Sequence, residues 1–189
     1  MNENRCPWLD ESKPDYVKYH DEEWGVPVHD DKKMFEFVVL ESAQAGLSWY
    51  TILKRRKGYK KAFANFNVNK VAKFTEEKVD ELMQDESIIR NRAKIKATIT
   101  NAQAFIKIQK EFGSFSDYIW AFVDHKPVQN VIKTKEDYVA TTALSDEISK
   151  DMKKRGFKFF GSTICYAHLQ ACGIVNDHSE NCFRNKELL

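Results

Sequence analysis

Glycine and proline are scarce in this chain, with 7 Gly and 4 Pro among 189 residues. Turns that need a left-handed or fixed backbone are therefore few. Sustained alternation of apolar and polar residues is also missing, so nothing reads as a half-buried strand. No apolar run approaches the ~20 residues needed to span a bilayer, and MNENRCPW carries no signal-peptide hydrophobic region. The expectation is a cytoplasmic protein with no membrane partner. Only 4 cysteines are present. In a reducing compartment they do not make a disulfide framework, which leaves metal ligation or simple core packing as their roles. A strong charge imbalance is absent too: 30 Lys and Arg stand against 28 Asp and Glu, a formal net charge of +2.

What is present reads as helix. The length suits one domain, residues 1–189, with a real hydrophobic core. Helices are expected over Asp31–Gln44, from Trp49 to Lys57 with a stop at Gly58, from Tyr59 to Phe66, and from a Thr75 cap to about Met83. QDESII then interrupts before a long helix from Arg90 to Glu111. Ser116 is read as capping Asp117–Val123, and Ser145 as opening a helix that ends at Gly156. Thr163–Cys172 makes the last helix, with a frayed tail, 183–189, beyond it; Lys126–Ala143 reads as a loop with one short strand or turn. The basic residues cluster: Lys54, Arg55, Arg56, Lys57, Lys60 and Lys61; Arg90, Arg92, Lys94 and Lys96; Lys153, Lys154, Arg155 and Lys158. Acid gathers elsewhere, at Asp21, Glu22, Glu23, Asp30 and Asp31. That segregation suggests a polyanion on one face, although charge runs are more often solvated helix faces.

The stretch that carries chemistry is LESAQAGLSWY, Leu40 to Tyr50. On a helix at 3.6 residues per turn, Glu41 falls between Phe37 and Met34, on the face that Phe35 and Val38 help make apolar. A carboxylate buried there is costly unless something pairs with it. Ala45 and Gly46 end the helix and Ser48 caps the next at Trp49, so Glu41 and the Trp49 indole can face one cleft. The plainer alternative is a partly exposed glutamate paired with a nearby Lys or Arg.

Two sets of metal-binding side chains compete. His178 and Cys182 are four apart and project the same way from a helical turn, and Cys6 and His20 supply the same atom types from the other end. Together they make a Cys2His2 tetrahedron joining segments 1–24 and 174–182, a closed site whose single zinc is structural. Cys165, His168 and Cys172 share a helical face, but Cys165 and Cys172 stand ~10 Å apart along the axis, too far to share one zinc. They read as core.

RCPW, YHDEEWG, LESAQAGLSW, KKRGFKFFGSTICYAHLQACG and VNDH followed by Cys182 resemble the bacterial 3-methyladenine DNA glycosylase I family, from about Arg5 to Cys182. The resemblance implies an all-α, helix-hairpin-helix glycosylase fold with one zinc on Cys6, His20, His178 and Cys182. It implies that Tyr19, Glu41 and Trp49 contact the base, with Trp8 and Trp24 as further aromatic walls and Glu41 as the catalytic group. The hairpin maps to Asp85–Asn91, with Glu86 and Ser87 where many such turns carry glycine. DNA contacts are expected at Gly46, Leu47, Ser87, Arg90 and Arg92, Leu47 being the wedge candidate. Asp117 is the candidate for a carboxylate near the sugar. The implied substrate is alkylated double-stranded DNA, the product free 3-methyladenine, and the acting species a monomer. Two other classes compete: a helical nucleic-acid-binding module stapled by zinc, which needs no glutamate on an apolar face, and a zinc hydrolase, which needs an open coordination position.

Overall fold

The computed structural model describes residues 4–188. Among them are eleven α-helices: α1 (Pro14–Glu22), α2 (Asp31–Gln44), α3 (Trp49–Leu53), α4 (Arg56–Ala62), α5 (Val68–Val71), α6 (Glu76–Leu82), α7 (Arg92–Phe112), α8 (Phe115–Trp120), α9 (Ala143–Lys154), α10 (Ser162–Ala171) and α11 (Phe183–Glu187). Two short strands, β1 (Val128–Gln129) and β2 (Val175–Asn176), pair in parallel. The fold is thus mostly helical rather than all-α.

Helix α2 is the hub, packing against α3, α4, α7, α8 and α10. Its sequence explains why. Asp30 caps it by accepting from Lys33 N at 2.8 Å, and every residue from Phe37 to Ala43 is buried. Burial is wider than the single apolar face expected, because helices close over it from several sides. At its first turn the Asp31 carboxylate accepts from the backbone N–H of Phe115 and Ser116, both at 2.9 Å, and from Gln109 Nε2 at 2.7 Å. One side chain thereby satisfies orphan donors at the start of α8 and ties it to α7.

Several boundaries differ from expectation for local reasons. Ser114, not Ser116, caps α8. Thr142 caps α9, with Ser145 closing a reciprocal box with it. Asn91 caps α7 through Lys94 N, so Arg90 lies before the helix. Thr75 precedes α6 without a side-chain cap bond. Residues 183–187 are helical rather than frayed, and a further helix, α1, precedes the first one expected at Asp31.

Gly58 does not stop a helix; it sits inside α4, where a Cβ would lie 2.4 Å from the backbone oxygen of Ser87. The turn between α6 and α7 rests directly on this glycine, and Ile89 N donates to Tyr59 Oη at 3.2 Å to hold it there. Because the clashing atom is backbone, Gly58→Ala must displace the turn and is expected to cost about 1–3 kcal/mol, measurable as a lower urea midpoint with an unchanged slope.

Candidate active site and metal centre

Glu41 is 2 % exposed, and its Oε2 has no hydrogen-bond partner among the described residues. Burial alone pushes its carboxyl up to about 8. An orphaned buried carboxylate is disfavoured unless something arrives to complement it. It faces a cavity of about 340 Å³, within the size range of small-ligand sites.

The walls are aromatic. Helix α2 ends at Ala45, Gly46 turns with φ +79°, and Ser48 Oγ accepts from Thr51 N at 3.2 Å to open α3 at Trp49. That reversal delivers the indole to the same cavity as Glu41. Its Nε1 is likewise buried without an acceptor. From α1, Tyr19 stands with its ring 5.2 Å from that of Trp49. Burial first, then the Glu41 charge, holds its phenol well above the ordinary tyrosine range, so it is a donor. Trp8 and Trp24, 4.8 Å apart edge to face, complete this side. All five side chains singled out in the sequence therefore line one cavity. Tyr16, Gln44, Lys135, Tyr138 and Gln170 line it as well. Tyr16 lies on α1 one turn before Tyr19, whereas Tyr138 sits in a loop that offers no periodic signal. Asp117 does not line the cavity. It belongs to the first turn of α8, which is anchored to Asp31.

Cys6, His20, His178 and Cys182 are all buried, and their ligand atoms lie within 4.8 Å of one another. Both cysteine sulfurs are 3.4 Å from His178 Nδ1, and Cys182 Sγ is 3.6 Å from His20 Nε2. Donors bound tetrahedrally at zinc distances would be separated by about 3.3–3.8 Å, so the residues fit such an ion. The histidine tautomers agree. His20 Nδ1 lies 2.7 Å from Asp21 Oδ1, a carboxylate itself gripped by Arg5, and its Nε2 accepts from Cys6 N at 3.4 Å. His178 Nε2 donates to Trp24 O at 2.9 Å. In each ring the outer nitrogen carries the proton and the inner one offers its lone pair. Gly25 is what lets the ring in, since a Cβ there would meet His178 at 2.9 Å. Four protein donors fill a tetrahedron, so the arrangement offers no open position for a reacting water. By contrast Cys165, His168 and Cys172 are fully buried core residues.

The residues expected at DNA are exposed, on two turns and at the first position of α7. Gly46 and Leu47 form the α2–α3 turn, Leu47 being 39 % exposed. Ser87, in the α6–α7 turn, donates to Asp85 Oδ1 at 2.6 Å. Arg90 lies 3.5 Å from Glu86, and Arg92 pairs with Asp80 and Glu76. Such exposed pairs are weak and can exchange for phosphate. Other members of the basic clusters are already paired within the fold: Arg56 bridges Glu23 and Glu36, and Arg155 bridges Glu111 and Asp151. These side chains hold the fold rather than a polyanion.

The chain is similar to known proteins in sequence and fold. The family model for methyladenine glycosylases matches residues 8–185. DNA-3-methyladenine glycosylase 1 of Escherichia coli (strain K12) is 49 % identical over 178 residues, covering 94 % of this chain and 95 % of that protein. DNA-3-methyladenine glycosylase of Haemophilus influenzae (strain ATCC 51907 / DSM 11121 / KW20 / Rd) is 46 % identical over 178 residues, covering 94 % and 96 %. A variant of 3-methyladenine DNA glycosylase I (TAG), solved in complex with 3-methyladenine, superposes with a TM-score of 0.93 at 36 % identity, covering 96 % of this chain and 97 % of that one.

Proposed function

The chain belongs to the methyladenine glycosylase family, and from that premise we propose that it is a single-domain, monomeric base-excision repair enzyme of the cytoplasm. It flips an N3-methyladenine nucleotide out of alkylated double-stranded DNA and hydrolyses its N-glycosidic bond, releasing free 3-methyladenine. The observation that carries this reading is the buried Glu41 Oε2, without a partner among the described residues, beside the Trp49 indole in one aromatic cavity.

A damaged, poorly stacked base is the least costly to extrude. Methylation at N3 puts a positive charge on the base, so when the bond from the ring nitrogen to the sugar carbon breaks, the electron pair neutralises the leaving group. Little acid catalysis is needed. Water adds to the sugar carbon and loses its proton to solvent. The task left to the protein is selection of the cation. Glu41 accepts hydrogen bonds from the adenine edge and complements its charge, Trp49 stacks on its face, and Tyr19 donates to it, with Trp8 and Trp24 as walls. Arrival of the cation favours the ionised carboxylate, reversing the effect of burial. The negative charge also favours the oxocarbenium-like state at the sugar.

The α6–turn–α7 unit acts as the hairpin of a helix-hairpin-helix module, Ser87, Arg90 and Arg92 meeting phosphate while Gly46 and Leu47 enter the stack vacated by the base. One structural zinc on Cys6, His20, His178 and Cys182 joins the two ends of the chain. The test is chromatographic detection of base released from DNA treated with a methylating agent. Selective release of 3-methyladenine is expected, falling by roughly 100-fold or more in Glu41→Gln. No release of any methylated base by folded, metal-loaded protein would leave only a DNA-binding module.

A further inference from the structure

Unlike Arg90 and Arg92, Lys94 turns inward. From the first turn of α7 its Nζ donates to the backbone oxygens of Ala43, at 2.9 Å, and Ala45, at 2.5 Å. Those carbonyls belong to the end of α2, where no intrahelical donor reaches them and the helix dipole is negative. The carbonyl between them, that of Gln44, accepts from Leu47 N at 2.6 Å. Three successive oxygens leading into the Gly46–Leu47 turn are thus tied, two of them by one ammonium from another helix. Little else steadies the turn: nothing lies within 4 Å of where a Gly46 Cβ would be, and the Leu47 side chain is largely in solvent.

The geometry points to Lys94 as a positioning residue for base extrusion, holding the Gly46–Leu47 turn at the angle from which Leu47 enters the duplex. This rests on the reading of Leu47 as the wedge. The clamp also joins the two DNA-facing turns, since Lys94 lies just beyond Arg90 and Arg92. A purely structural cap at this end could be supplied by water, because Gln44 and Ala45 are only half-buried. Lys94 instead commits a partly desolvated cation to two neutral oxygens, with no carboxylate among its hydrogen-bond partners in the described residues.

The experiment compares single-turnover base release from methylated duplex DNA and from the same DNA denatured, alongside free 3-methyladenine binding read by tryptophan quenching. Lys94→Met is expected to slow duplex excision roughly tenfold, with a much smaller effect on denatured DNA and unchanged free-base affinity. Leu47→Ala should show the same pattern, and the double variant should be no slower than the slower single one, because the lysine acts through the leucine. Additive losses, normal duplex excision in Lys94→Met, or loss of free-base binding would each overturn the clamp; the last would mean that the lysine merely supports the pocket. If Leu47→Ala excises duplex substrate normally, wedge and clamp both fail, while Glu41-dependent base release survives as a separate result. Should Lys94→Met not fold, Lys94→Gln, which keeps two N–H donors on a shorter, uncharged side chain, is expected to give a smaller loss with the same restriction to duplex substrate, and equal losses on duplex and denatured DNA would overturn the clamp.

Discussion

Cys182→Ser is expected to abolish stoichiometric zinc binding and to lower the melting temperature by roughly 10 °C or more. The ion would hold two segments that little else holds so firmly. Cys6 and His20 come from the first turns of the chain and His178 and Cys182 from its last, and each buried thiolate depends on the ion for charge compensation. The core is large enough that the protein should not unfold outright, unlike a zinc finger. The consequence should reach the cavity. The Trp24 carbonyl accepts from His178, and the ring of Trp24 packs against that imidazole at 4.6 Å while lining the aromatic wall. Chelation of the wild type should therefore weaken free-base binding as the melting point falls. The checks are one zinc per chain by a chromogenic assay, thermal melts with and without chelator, and fluorescence titration of the base. Equal melting points for metal-loaded and chelated protein would remove the clasp.

Glu41→Gln is expected to stabilise the folded protein increasingly between about pH 4.5 and pH 8, because the folded carboxyl is raised to about 8 from an ordinary 4.5. Between those values the unfolded chain has lost its proton and the folded chain has kept it. The wild type accordingly loses stability as pH rises through that window, and the amide does not. Above pH 8 the difference levels off at a few kcal/mol, in the variant's favour. Excision should move the opposite way. The productive form is the carboxylate, so kcat/KM of the wild type should rise as pH approaches about 8 and then flatten. A base attached to the sugar keeps its methylation charge throughout this range, so the slope belongs to the enzyme. Urea titrations at four pH values and a pH–rate profile on methylated DNA supply both readouts. A difference in stability that does not change with pH would mean that Glu41 titrates normally.

Much of this site could be read before any coordinates. Glu41 on an apolar helix followed by a breaker, a serine cap and a tryptophan is a local pattern, so its consequence survived folding: Ser48 opens α3 and Trp49 lines the cavity with Glu41. The family resemblance rested on long ordered motifs and is borne out by the match over residues 8–185. The unread parts depend on non-local contact. Gly58 looked like a helix stop because glycine propensity is local, whereas its real constraint is the Ser87 backbone nearly thirty positions on. Lys94 looked like a member of a solvated basic run because charge runs say nothing about which side chain finds a helix end. Tyr138 and Lys135 reach the cavity from a loop whose one local turn, boxed by Thr134 and Asp137, carries no signal of what it packs against.

Non-locality has an experimental consequence. The cavity draws on Trp8, Tyr19, Glu41, Trp49, Tyr138 and Gln170, which span most of the chain. No short contiguous fragment contains it. Base binding should therefore appear only with the last cooperative step of refolding, and a saturation-mutagenesis screen scored on repair activity would mix core lesions with site lesions. Titration with the free base, normalised to folded molecules, separates the two: a core variant gives fewer sites of normal affinity, a site variant the full number of weaker ones.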